Sequence, residues 1–223
     1  TVAFLSGGSN IQILNCVLHS DMISAGGYIS IGGNNGAANL LVQNCYFHGS
    51  LNLQGGSTGT IRNCVFASGN ANDYAFYGVG GVYAQPWGAG MTIENNIFYK
   101  EDPIEAKGLT NDCRYLNNIA YLNTDPFPSN ALSSGNRITD PLFVNFPAAG
   151  ERFSFDYDYH LQAGSPGKNF GTDGTDVGIW GGALPVNKGF EPPIPRITQL
   201  TLDHPIVPAG GTVKLTLKAG KPN

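Results

Sequence analysis

Ile93-Glu94-Asn95-Asn96-Ile97-Phe98 decides the fold, because the same six-residue phrase occurs five times in the chain. The other copies are Ile13-Leu14-Asn15-Cys16-Val17-Leu18, Val42-Gln43-Asn44-Cys45-Tyr46-Phe47, Ile61-Arg62-Asn63-Cys64-Val65-Phe66 and Tyr115-Leu116-Asn117-Asn118-Ile119-Ala120. The third position is always Asn, the fourth is Cys or Asn, and the first and sixth are mostly large and apolar. A short strand-turn-strand unit recurring at intervals of about 20 to 50 residues marks a solenoid, in which no unit buries its apolar face without its neighbours. Each side of the phrase alternates like a strand, and its middle turns a corner. On this reading position one points in, position two points out and the Asn of position three turns inward. Position four then takes the positive φ angle that Asn tolerates better than most residues. With coils about 4.8 Å apart, Asn15, Asn44, Asn63, Asn95 and Asn117 are expected to stack amide to amide as one ladder.

A repeated phrase with such a ladder resembles the pectate-lyase-like β-helix superfamily, and the resemblance covers most of residues 1 to 182. It implies an all-β chain folded as a right-handed parallel β-helix, a solenoid. Enzymes of that fold cleave acidic polysaccharides, by β-elimination with a strong base and a cation-bound carboxylate or by hydrolysis with paired carboxylates.

Composition agrees with a fold of neutral strands and tight turns: of 223 residues 41% are hydrophobic, 13% are charged and 31 are Gly. The net charge of −4, without a dense Lys/Arg patch, argues against nucleic acid as a partner. No apolar run is long enough to span a membrane. The sequence starts at Thr1 on a strand, with no charged-then-apolar leader, and reads as a processed protein or an excised piece. Either more coils lie upstream, or Val2-Ala3-Phe4-Leu5 is covered in another way.

Cys16, Cys45 and Cys64 share position four of consecutive phrases, so they are expected to stack as free thiols. A disulfide would require their Cβ atoms to lean together and bend the turn. Cys113 precedes its own phrase and stands outside that register.

From Asn63 to Asn95 the interval lengthens to 32 residues, where insertions in a solenoid are carried by loops. The excursion, from Asp73 to Gly88, is rich in aromatics and Gly. Aromatic faces beside polar groups suit carbohydrate, so Tyr74, Tyr77, Tyr83 and Trp87 are the candidate glycan-binding residues. The plainer alternative is that part of the segment supplies a coil strand and packs the core. The charged stretch Lys100 to Lys107 reads as a solvated turn. Its carboxylates have the chemistry to take calcium, but their spacing does not require a metal, and no other cofactor is indicated. Arg62 and Glu94, both at outward position two, read as a surface ion pair.

After Asn117 the phrase degenerates. Asp140-Pro141-Leu142-Phe143, then Asp158 to Pro166, then Thr172 to Gly182 resemble the closing coils of exported bacterial β-helix proteins. The resemblance makes His160, Asp173 and Asp176 structural. Residues 183 to 195 are a Pro-rich linker, and 196 to 223 form a C-terminal β-hairpin expected to pack on the last coil.

Asn123-Thr124-Asp125 resembles one motif of polygalacturonase-like hydrolases, whose Asp-Asp pair, Gly-His-Gly and Arg-x-Lys are missing here. For a lyase, Arg62, Arg114, Lys100 and Lys107 are the candidate bases, without an acidic triplet to accompany them. The expected function is therefore an exported carbohydrate-binding or surface-structural β-helix, secreted or on a bacterial cell surface, with a polysaccharide or cell-surface glycan as partner. A polysaccharide lyase or hydrolase and a purely architectural stalk stay open.

Overall fold

The computed structural model describes residues 8–19, 28–31, 37–53, 57–67, 74–77, 90–104, 113–123, 127, 132–147, 153–186, 196–202, 210 and 215–220. The chain forms two compact units, Thr1–Pro185 and Val186–Asn223. In the first, coil one supplies β1 (Gln12–Leu14), β2 (Val17–His19) and β3 (Tyr28–Ile31). Coil two supplies β4 (Leu40–Gln43), β5 (Tyr46–His48) and β6 (Ser50–Leu53), and coil three β7 (Gly59–Arg62), β8 (Val65–Ala67) and β9 (Tyr74–Tyr77). Coil four gives β10 (Met91–Glu94), β11 (Ile97–Tyr99) and β12 (Asp102–Ile104), coil five β13 (Arg114–Leu116) and β14 (Ile119–Tyr121), and coil six β15 (Arg137–Ile138).

These strands pair in parallel into three sheets, ordered β1-β4-β7-β10-β13, β15-β14-β11-β8-β5-β2 and β12-β9-β6-β3. The unit is thus all-β and parallel, an arrangement compatible with a β-solenoid. The repeat of the sequence is also the register of the fold. Position one aligns as Ile13, Val42, Ile61, Ile93 and Tyr115, and position six as Leu18, Phe47, Phe66, Phe98, Ala120 and Ile138. Up to coil five both rows feed the core, where Phe47, Phe66 and Phe98 stack at 4.7 and 5.1 Å between ring centroids, while Ile138 in coil six is exposed. A sixth copy, Ser133 to Ile138, continues the register, since Asn117 N donates to Ser134 O and β15 pairs with β14.

The corner corrects the expected roles of positions three and four. Position three takes the positive φ: Asn15, Asn44, Asn63, Asn95 and Asn117 have φ of 51°, 52°, 51°, 59° and 50°. Position four turns inward and carries the ladder. Asn96 Nδ2 donates to Asn118 Oδ1 at 3.1 Å, and Asn118 Nδ2 to Asn136 Oδ1 at 2.9 Å. Each also donates to the position-one carbonyl of the preceding coil, Asn96 to Ile61 O and Asn118 to Ile93 O, while Asn136 donates to Tyr115 O. In return each Oδ1 accepts the position-four N–H of the preceding coil: Cys64 N to Asn96, Asn96 N to Asn118, Asn118 N to Asn136. In the sixth copy Gly135 (φ +69°) replaces the position-three Asn, and a Cβ there would lie 2.2 Å from Asn117 Oδ1.

The position-three amides are taken up by the C-terminal end of the same unit, in reverse order along the stack. Asn117 Nδ2 donates to Phe170 O, Asn95 to Thr172 Oγ1, Asn63 to Asp176 O, and Asn44 to both Ile179 O and Gly181 O. Residues 170 to 181 therefore run back along the corner as a strap, from coil five to coil two, instead of adding a closing coil. Gly181 permits the contact, because a Cβ would lie 1.6 Å from Asp176 O and 2.7 Å from Asn63 Nδ2. Asp173 and Asp176 hold the strap in shape, as expected. Asp173 Oδ1 accepts from Thr175 N, and Asp176 accepts from Asn169 N and pairs with Lys168 at 2.6 Å.

Ahead of the strap, β16 (Phe143–Asn145) and β17 (Asp158–Leu161) form an antiparallel pair. Aromatics of these strands and of the segment between them cover the outside of the second sheet: Tyr46 meets Phe153 and Tyr159, and Tyr99 meets Phe143 and Phe146. Position five, outward on its strand, is consequently apolar and fully buried at Tyr46, Val65, Ile97 and Ile119. From coil two to coil five the second sheet is covered on both faces, as parallel sheets usually are.

The charged stretch is not a solvated turn over its described part. Glu101 is fully buried, and Asp102–Ile104 is strand β12 at the sheet edge, where Pro103 costs no ladder bond. In the second unit, β18 (Arg196–Leu202) and β19 (Leu215–Gly220) form an antiparallel hairpin, with Leu200 opposite Leu217 and Leu202 opposite Leu215. Leu200, Leu215 and Leu217 are exposed.

Candidate functional site

In β4 the side chains of Leu40 and Val42 are buried, so the alternate residues of the first sheet face outward. Two outward rows result. One reads Gln12, Leu41, Thr60, Thr92, Arg114, and the other Leu14, Gln43, Arg62, Glu94, Leu116. Their central members are polar, one hydrogen-bonding group per coil per row, at a spacing set by the coil rise of about 4.8 Å. Arg62 and Glu94 lie opposite each other in register, but each has another partner. Arg62 Nε donates to Gln43 Oε1 at 3.0 Å, and Glu94 Oε2 accepts from Thr172 Oγ1 at 3.1 Å.

Thr172 brings the strap to the edge of this face. Its N–H donates to Asn95 Oδ1 at 2.8 Å, so the strap is anchored to the corner and the outward row at one residue. Arg114 is exposed at the end of its row. The face therefore offers guanidinium and hydroxyl donors and a carboxylate acceptor, fixed on strands rather than loops, while Gln43 is buried with its Oε1 taken by Arg62. Glu94 is the sole carboxylate of the two rows, so a second acid for paired-carboxylate hydrolysis is not supplied by them. Of the other candidate bases, Lys100 sits between β11 and β12, away from these rows, and Lys107 lies outside the described residues.

The four aromatics singled out from the sequence fall differently. Tyr74 and Tyr77 begin and end strand β9, in the third sheet, opposite Asp102 and Asn52 respectively. Phe76 stands opposite the buried Leu51, so this part of the excursion is a coil strand. Tyr83 and Trp87 lie outside the described residues, in the stretch of sequence between β9 and β10.

An aromatic platform that the sequence reading did not single out stands on the return segment. The His160 ring stacks on the Trp180 indole at 3.7 Å and 18°, and His160 Nδ1 is 2.6 Å from Asp158 Oδ1. Burial alone would raise the Asp158 carboxyl, but the backbone N–H and the ring of His160 outweigh it and hold the group below its usual range. The ring stack ties β17 to the strap, in keeping with the structural role expected of His160. No periodicity leads to this pair, because it joins residues of two irregularly spaced segments. Elsewhere on the return segment's border, burial, then Asp140 and Tyr121, push the Tyr99 hydroxyl up to about 12, and Asp140 also raises Tyr121.

The thiol column is the other polar cluster. Cys16, Cys45 and Cys64 are thiols outside any disulfide, as expected, and Cys113 is buried. Each column Sγ donates to the position-two carbonyl of its own coil at 3.2 Å. Cys16 is held well above the usual thiol range by its hydrogen bond to Cys45 and then by burial. The Cys16 bond pulls Cys45 down, but its bond to Cys64 and its burial carry it up overall. Among the described residues no group of three or more His, Cys, Asp or Glu side chains is arranged to hold a metal ion. No described helix is long and apolar enough to cross a membrane.

No protein-family model, no curated protein and no solved structure matches this chain.

Proposed function

We propose that the protein is an exported glycan-binding module built as a right-handed parallel β-helix of the pectate-lyase-like kind, secreted or displayed on a bacterial surface, with a polysaccharide or cell-surface glycan as its partner. The observation that carries this reading is the outward face of the first sheet, where Thr60, Thr92, Arg62, Glu94 and Arg114 present aligned polar groups at one coil per step. Glycans are recognised by many directional hydrogen bonds along an extended surface, and a rigid polar sheet face provides them without an ordering cost. Residues Tyr83 and Trp87 fall in the sequence just before β10, which ends on this face at Glu94, so stacking groups for sugar rings are close in the chain.

A glycan array on the native protein, followed by titration of each positive glycan against R114A, T92A and W87A, tests the reading. Loss of binding in R114A and T92A together is expected, by about tenfold or more. Binding that survives both moves the site off the sheet face, and an array without positives favours an architectural stalk. Shortened products from acidic polysaccharides would instead identify an enzyme.

A further inference from the structure

We propose that Cys16 and Cys45 together form a two-coordinate site for a thiophilic d10 cation such as Cu(I) or Ag(I). Both side chains project from the same position of adjacent coils, and each Sγ points to the corner, donating to a carbonyl at 3.2 Å. Parallel Cβ–Sγ bonds on adjacent coils space the sulfurs by up to the coil rise, about 4.8 Å. Metal–sulfur bonds of about 2.3 Å make a linear S–M–S unit about 4.6 Å long, which that spacing accepts.

A disulfide does not fit the same frame, since it needs the Cβ atoms about 3.8 Å apart and the sulfurs about 2.05 Å apart. Thiolate is the ligand that selects soft cations, and a coordinating thiol loses its proton outright. Zinc would ask for four ligands, and no such group is found among the described residues, whereas a linear d10 ion asks for two. Entry is from the end of the column, where Cys16 is part-exposed, while Cys45 and Cys64 are buried. In the binding step two S–H bonds break and two metal–sulfur bonds form. Two protons leave for solvent, no electrons are exchanged, and the complex carries one negative charge.

The test is a titration of the native full chain with Ag(I) in weakly buffered, chloride-free solution near pH 7, reading released protons and the sulfur-to-silver absorbance. The first equivalent is expected to bind at 1:1 and release two protons. C16S and C16A should each weaken that step by about tenfold or more and release fewer than two protons, while C113S should behave as the parent. One proton per ion in the parent, two-proton binding retained in both Cys16 variants, or loss of the step in C113S would each overturn the proposal.

Discussion

In coils one to three the inward corner position is Cys16, Cys45 and Cys64, and in coils four to six it is Asn96, Asn118 and Asn136. The two halves perform the same task with unequal strength. Asn96, Asn118 and Asn136 donate to the preceding coil's position-one carbonyl at 2.9 to 3.0 Å, whereas Cys45 reaches Ile13 O at 3.5 Å and Cys64 reaches Val42 O at 3.9 Å. Each amide also accepts a buried backbone N–H, so it closes two open valences of the turn at once. A thiol is a weak donor and a weak acceptor, and it fills the corner chiefly as a small hydrophobe. The amide half is thus held by directed bonds that fix register, and the thiol half more by packing.

The largest separation between the halves is expected at alkaline pH. The bond to Cys45 and burial raise Cys16 in the folded state, and at Cys45 the lowering bond to Cys16 is outweighed by the bond to Cys64 and by burial. The unfolded chain, with thiols near 8.5, therefore loses protons first as pH rises, and the native state binds more protons. The stability they contribute is complete below about pH 8.5 and falls above it, by up to about 1.4 kcal/mol per pH unit at the buried Cys45 and by less at the part-exposed Cys16, where solvent screens the interaction. Urea unfolding between pH 8 and pH 10 should show this loss in the parent. A C16A/C45A/C64A variant should show a flatter profile, and equal slopes would mean that the thiols are not coupled to folding. Tyr99 and Tyr159, both pushed up to about 12, add to the slope only above about pH 10.

A smaller effect comes from converting one half into the other. C64N would place an amide next to Asn96, with Val42 O as acceptor for its Nδ2 and the N–H of Cys45 as donor to its Oδ1. The ladder would then run unbroken from coil three to coil six. A gain of about 1 kcal/mol in unfolding free energy is expected, with an unchanged urea m-value. A loss of stability would show that the thiol half is packed too closely for an amide, and that the difference between the halves is one of volume.

Much of this arrangement was legible in the phrase. Its spacing gave the coil register, and the identities of positions one and six gave the core rows. The assignment of roles at the corner was not, because Asn is equally suited to a ladder and to positive φ. The discriminating signal was constancy. Position three is Asn in all five copies, as the left-handed turn requires, while position four varies between two residues that are both small enough to face inward. Position five also carried a signal: Tyr46, Val65, Ile97 and Ile119 are too apolar for an open face and announce the cover supplied by the return segment, while Val17 in coil one stays exposed.

The strap could not be read this way. Its contacts with Asn44, Asn63, Asn95 and Asn117 join residues 53 to 137 apart in the chain, mostly through its own backbone carbonyls, which leave no side-chain pattern. The sixth copy was hidden for a related reason, since Gly135 stands where the phrase has Asn. At the candidate site, alternation within the first sheet placed Arg62 and Glu94 outward. Their partners were not foreseeable, because Thr172 arrives from the strap.

The inward and outward asparagine columns stand side by side at Asn95 and Asn96, and the cost of removing each amide tests the account most directly. Urea unfolding of N95G and N96A, measured against the parent under one set of conditions, makes the comparison. Gly keeps the positive φ of position three and loses only the partly buried bonds to Thr172, for an expected cost of about 1 kcal/mol. Ala at position four deletes the bonds to Ile61 O and Asn118 and orphans the buried N–H of Cys64, for an expected cost of about 3 kcal/mol. Equal costs, or a larger cost for N95G, would contradict the assignment of the ladder to position four.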